Sequence, residues 1–206
     1  REISLRDSTG FVLESTRSDY AHVHPEGVEL LGLDLVTPNS HLRDTLRFNY
    51  ASYEAFKDYE NQVIMNGWFD SSYVAFRDIM TFAPKLKQNP FFVKNRESGI
   101  WLEGNIRGTV NNLKGRDLFL KLGSGSYLQG DFSIRDVTDP NITFFTLDVN
   151  RLQSSMRTLR LLLPGFDPPA NYNSLGSLSF AGRTTGYFYD FVAEGQLNTA
   201  IGKAQM

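Results

Sequence analysis

Apolar residues in this chain recur at every second position, and the runs are cut by Gly, Asn, Asp and Pro. That is the signature of short strands joined by turns. Val28 to Val36 sets Leu31, Leu33 and Leu35 on one face and breaks at Thr37-Pro38-Asn39-Ser40. The alternation resumes with Leu46, Phe48 and Tyr50. Ile100, Leu102, Ile106 and Val110 share one parity around Gly104 and Gly108. Leu118, Leu120 and Leu122 do the same before the turn-like Gly123-Ser124-Gly125. The intervening positions hold Glu103, Asn105, Arg107, Asp117 and Lys121, so one face of these strands is wet, as an antiparallel sheet permits. Later strands are apolar on both parities: Tyr187, Tyr189, Phe191 and Ala193 on one, Phe188 and Val192 with Asp190 on the other. A second apolar face needs a cover of its own: another sheet, a helix or a lipid.

Three stretches depart from period two. Leu152, Met156, Leu159 and Leu163 recur at helical spacing before Pro164-Gly165, which predicts a helix over Arg151 to Leu162. Tyr73 to Leu86 has Phe76, Ile79, Met80 and Ala83 at helical spacing before Pro84, and Ser52 to Tyr59 reads as a helical turn or two. A pentad of the form apolar-x-Gly-x-apolar also recurs, centred on Gly67, Gly104, Gly130 and Gly195, with a variant on Gly182. The last four glycines in chain order lie 26, 52 and 13 residues apart. Repetition at the length of a strand plus its turn points to an elongated curved sheet.

The 206 residues are enough for one sizeable core, and we expect a single mainly β segment over 1–206, with a possible sub-boundary near 87–98 and a helix-containing insertion at about 151–170. The expected fold is a curled antiparallel sheet, of β-groove or β-taco type, with one or two short helices. A net charge of −2 gives no basic excess for nucleic acid to exploit, and nucleic acid is not an expected partner. The chain has no Cys, which removes disulfides, thiolate zinc sites and thiol nucleophiles. No apolar run approaches the roughly 20 residues of a membrane-spanning helix, and the first residues do not read as a secretion signal. We read the sequence as an internal piece of a longer chain.

Chemistry is sparse. His22-x-His24 would place two imidazoles on one face of a strand, but no third ligand is nominated, so a structural or surface pair is the expectation and no metal is assigned. His41 is the remaining histidine. No nucleophile elbow, phosphate loop, dinucleotide fingerprint or His-Glu-x-x-His run occurs, and Gly123-Ser124-Gly125-Ser126 opens no helix pattern. Asn141-Ile142-Thr143 matches a glycosylation acceptor, a pattern that is common by chance. We therefore expect no catalytic residues, no cofactor and a non-enzymatic role. Aromatic residues make up 13% of the chain, and Trp68, Tyr73 and Trp101 could form a platform for carbohydrate in a β-sandwich module.

The order of several segments resembles a known family. Leu33-Asp34-Leu35-Val36-Thr37-Pro38-Asn39-Ser40-His41-Leu42 is followed by Phe76-Arg77-Asp78-Ile79-Met80-Thr81-Phe82-Ala83-Pro84 and then by Leu102-Glu103-Gly104-Asn105-Ile106-Arg107-Gly108-Thr109-Val110. Near the C-terminus come Leu175-Gly176-Ser177-Leu178-Ser179-Phe180-Ala181-Gly182 and Asp190-Phe191-Val192-Ala193-Glu194-Gly195-Gln196-Leu197. Together these resemble the TamB translocation and assembly module of Bacteroidetes-type bacteria, within the AsmA-like, repeating β-groove superfamily. The resemblance implies a periplasmic segment of a chain anchored in the inner membrane, built as a curled sheet with a greasy concave groove. It also implies a part in phospholipid transfer toward the outer membrane and in outer-membrane protein assembly. The implied partners are phospholipid acyl chains, a BamA-type outer-membrane barrel protein and neighbouring β-repeats of the parent chain.

By strand parity, the expected groove-facing residues are Ile100, Leu102, Ile106, Val110, Leu118, Leu120, Leu122, Leu178 and Phe180. The helix expected over Arg151 to Leu162 is a departure from the family pattern, and it would interrupt the groove.

Overall fold

The computed structural model describes residues 3–6, 12–123, 125–139, 141–187 and 190–205. Ser124 of the expected turn, and Phe188 and Tyr189 of the late apolar run, lie outside these. The elements are β1 (Ile3–Arg6), β2 (Val12–Arg17), β3 (Tyr20–His24), β4 (Gly27–Val36), β5 (His41–Asn49), α1 (Tyr59–Gln62), β6 (Ile64–Ala75), α2 (Phe76–Phe82) and α3 (Pro90–Lys94). They continue as β7 (Gly99–Thr109), β8 (Asn112–Leu122), β9 (Ser126–Arg135), β10 (Phe144–Ser155), α4 (Met156–Leu162), β11 (Ser177–Tyr187), β12 (Asp190–Thr199) and β13 (Gly202–Gln205). Short 3-10 turns cover Tyr53–Asp58, Pro84–Gln88 and Ala170–Leu175.

All the strands join one antiparallel sheet. From β4 to β13 each strand pairs with the next in sequence, and β2 and β3 share the edge of β4. The sheet is curled and does not close.

What curls it is a line of irregularities running across the strands. Single extra residues interrupt the pairing of β4 at Gly32, β6 at Ser71, β8 at Asp117 and β10 between Val149 and Arg151. These are alternate strands. The register puts all four on one transverse row that runs Leu33, Asp44, Phe69, Gly104, then Leu118, Gly130, Val149, Gly182 and Gly195. A bulge bends its strand and raises the local twist; a row of bulges bends the whole sheet. Strands β7, β9, β11 and β12 carry Gly104, Gly130, Gly182 and Gly195 at the same level, four of the five pentad glycines, while β5 carries Asp44 there. Gly67 sits one step off the row, opposite Leu46 and Ile106. The requirement for glycine is clearest at Gly130, whose φ is 150° and where a β-carbon would stand 2.1 Å from the Asp148 carbonyl oxygen.

Bending brings the two ends of the strands together. Val110 and Val137, at one end, pack against Met80, Ala83 and Leu86, which belong to a segment that leaves the opposite end at Ala75. Lys85 of that segment meets Glu60 at 2.7 Å, and the Asn111 N–H donates to the Glu60 carbonyl. Residues 76–94, comprising α2, a 3-10 turn and α3, therefore form a strap over the mouth of the folded sheet at β6 to β9. The strap is fixed at its root by Asp78. This buried carboxylate accepts from Thr37 Oγ1 (2.5 Å), Ser40 Oγ (2.6 Å) and Asn39 Nδ2 (3.0 Å), while Ser40 Oγ accepts from the Ala75 N–H. Thr37-Pro38-Asn39-Ser40 is thus a turn and also one half of a latch.

Several expectations are corrected. Arg151 to Ser155 is strand, and Leu152 pairs with Leu128 and Phe180; the helix begins at Met156, with Ser155 Oγ accepting from the Thr158 N–H as its cap. That helix does not interrupt the sheet, because β10 and β11 pair from Phe144–Tyr187 to Ser155–Ser177 beneath it. Tyr73 to Ala75 likewise remains in β6. The extra residue at Gly32 reverses the parity within β4: Leu30, opposite Leu46, shares the inner face with Leu33 and Leu35, while Leu31 faces the other way beside Tyr20. Val110 lies beyond the end of β7 and belongs to the cluster under the strap, not to the groove lining.

Candidate functional site

The register assembles a continuous apolar ladder on the concave face. Leu102, Leu120, Leu128, Leu152, Phe180 and Leu197 are successive cross-strand partners on β7 to β12. Five inter-strand steps of about 4.8 Å make this row about 24 Å long, more than half the ~30 Å hydrocarbon thickness of a bilayer. The crease row lies beside it, and beyond that a third row runs Ile106, Gly115, Phe132, Leu147, Thr184 and Ala193. Glycines at four of the six crease positions on β7 to β12 thin the floor, where Leu118 and Val149 are the remaining side chains, leaving a trough with apolar walls.

The trough is filled at one end and open at the other. Near the strap, Leu102 and Leu118 are buried. From β8 onward Leu120, Leu122, Leu128, Phe132, Leu147, Leu152, Phe180 and Leu197 are only half-buried, and Phe191 on β12 is 54% exposed. Of the residues singled out by parity, Ile100, Leu102, Ile106, Leu118, Leu120, Leu122, Leu178 and Phe180 share the concave face. Leu178 is buried beside Ser154, whose hydroxyl is bonded to that of Ser126 at 2.7 Å. Val110 is the exception. Sequence reasoning missed Leu128, Phe132, Leu147, Leu152 and Leu197. Parity alone could have found those on β9 and β12, whereas Leu152 was hidden by an accidental helical spacing.

The convex face is polar and cross-linked. Arg116 pairs with Asp131, Arg183 with Asp148 and Arg47 with Glu29. The Arg116 guanidinium, with help from the Asp117 N–H, holds the Asp131 carboxyl below the usual carboxylate range. Trp68, Tyr73 and Trp101 all stand on this convex side. Tyr73 and Trp101 are register partners with rings 5.2 Å apart, and both indoles are at least half exposed. His22 and His24 lie 5.2 Å apart on β3, and no cluster of three His, Asp or Glu able to hold a metal occurs among the described residues. No helix among the described residues is long and apolar enough to cross a membrane.

No protein-family model, no curated protein and no solved structure matches this chain.

Proposed function

We propose that the chain is a non-enzymatic scaffold segment whose trough carries the acyl chains of phospholipid, within a TamB-like, AsmA-type protein of the periplasm. The observation that supports this reading is the six-strand apolar ladder on a single curled sheet, half-buried at every position but Leu102. A chain lying in it gains about 0.8 kcal/mol for each methylene removed from water. Across β7 to β12 four of the six crease positions are glycines and the other two, Leu118 and Val149, are apolar, so no polar side chain in the crease fixes a chain at one point along it. The headgroup stays wet at the mouth. In the parent chain the open edges at β1 and β13 would pair with neighbouring repeats, and a BamA-type barrel protein is the proposed outer-membrane partner.

The test is organic extraction of purified protein, followed by mass spectrometry, before and after exposure of delipidated protein to membrane vesicles. Near-stoichiometric phospholipid, displaced by a fatty-acid probe, is the expected result. Its absence under both conditions would sink the reading.

The three rings on the convex side favour a second reading, a carbohydrate-binding surface. Because the rings and the ladder occupy opposite faces, the two readings separate cleanly. Trp101→Ala would abolish glycan binding and spare lipid, and Leu120→Asp would do the reverse.

A further inference from the structure

The helical inserts at the mouth have a composition unlike the rest of the chain. Residues 84–96 and 156–166 hold Lys85, Lys87, Lys94, Arg96, Arg157 and Arg160, and not one Asp or Glu, in a chain whose overall charge is −2. The two inserts meet. Lys94 Nζ donates to the carbonyls of Arg160 and Leu163 at 2.9 and 2.8 Å, and Asn95 Nδ2 donates to that of Leu162. Lys87 lies on the 3-10 turn that packs against α3. Among these cations, apolar side chains face outward: Val93 is 49% exposed, Leu163 38% and Leu161 65%. A cavity of about 480 Å³ opens beneath α4 between Met156, Arg157, Arg160 and Leu161, and the buried Arg160 Nε has no hydrogen-bond partner.

We infer that this mixed cationic and apolar patch docks on an anionic phospholipid surface. Lys85 is paired with Glu60 and Arg96 with Glu97; the charges of Lys87, Lys94, Arg157 and Arg160 attract lipid phosphates, at about fivefold in affinity for each Lys or Arg near the membrane. The exposed Leu161, Leu163 and Val93 insert shallowly among the acyl chains, an environment that a nucleic-acid backbone would not offer them. Docking here sets the mouth of the sheet against the bilayer. The inference concerns the rim and stands whether or not the trough holds lipid.

The experiment is flotation of the protein with phosphatidylcholine vesicles, with and without one third phosphatidylglycerol, at low and at physiological ionic strength. The expected result is binding that depends on phosphatidylglycerol and weakens with salt. The K87E/R157E double variant should lose at least about 25-fold, and Leu161→Ser several-fold. Lys114→Glu on the convex face should change binding by no more than about twofold, and Leu120→Asp should leave flotation intact even where it abolishes lipid extraction. Equal flotation with and without phosphatidylglycerol, no flotation of the unaltered protein, or unchanged binding by K87E/R157E would each overturn the inference. So would tighter binding to a single-stranded oligonucleotide than to vesicles at the same salt.

Discussion

The Asp148 carbonyl oxygen stands 2.1 Å from the point where a β-carbon on Gly130 would lie. Strand β9 therefore passes β10 at the crease more closely than any side chain allows. Gly130→Ala must push the two strands apart, and we expect a loss of about 2–4 kcal/mol in urea denaturation. Gly123→Ala is the comparison. Its φ of 60° is also left-handed, yet a β-carbon there would meet nothing within 4 Å, so a cost of about 1–2 kcal/mol is expected. Equal losses at the two sites would show that close approach at the crease carries no weight.

Substitutions in the ladder should divide by burial. Leu102 is 5% exposed, and Leu102→Asp places a carboxylate where it has no partner, costing about 3 kcal/mol or more. Leu120 is half-buried, so Leu120→Asp should leave the cooperative melt in place while lowering lipid recovery. Circular dichroism melts run beside lipid extraction check both.

Asp78→Ala should detach the root of the strap. Three donors lose their acceptor in a buried site, and charge-assisted hydrogen bonds of this kind are worth about 1.5–3 kcal/mol each before relaxation. The expected signature is local: faster hydrogen exchange at the backbone amides of residues 76–89, with smaller changes in β10 to β12. Uniform loss of protection throughout the sheet would mean instead that the strap folds as one unit with it.

Stability should fall on the alkaline side through Tyr59. Burial, and secondarily Glu60, pushes its hydroxyl up to about 12 from an ordinary value of 10.0. The folded state therefore favours the protonated phenol. That contribution is complete below pH 10, where the unfolded chain begins to ionise, and disappears as pH rises to about 12. Tyr59→Phe removes a buried hydroxyl that has no partner, so it should be neutral or stabilising at pH 8 and should flatten the alkaline limb in denaturation midpoints.

At acid pH the sign reverses for Asp131, whose carboxyl is held low mainly by its hydrogen bond from Arg116. Its contribution is present above the ordinary carboxylate value of 3.8 and is lost as pH falls through the depressed one. Asp131→Asn should leave a shallower acid limb than the unaltered protein shows, and an unchanged limb would mean that this pair adds nothing.

Much of the site was legible in the alternation. Leu118, Leu120 and Leu122 needed only period two to be placed on one face, because β8 carries its bulge before them, at Asp117. Leu31 was misplaced for the same reason in reverse, since the extra residue at Gly32 falls inside the run and turns every later side chain over. Leu152 was mistaken for helix because its spacing to Met156 fits either structure. What decided the matter was pairing with Leu128 and Phe180, residues 24 and 28 positions away.

The sequence by itself determined the strands, the wet and greasy faces, the absence of cysteine chemistry and the recurring glycines, because each of these is written in local side-chain order. Only the tertiary structure decided that those glycines share one line, that the line is a crease, and that the inserts between strands close one end of the mouth and leave the other open. Register, bulge position and the meeting of distant ends are properties of pairing between strands, and the pattern within any one strand does not contain them.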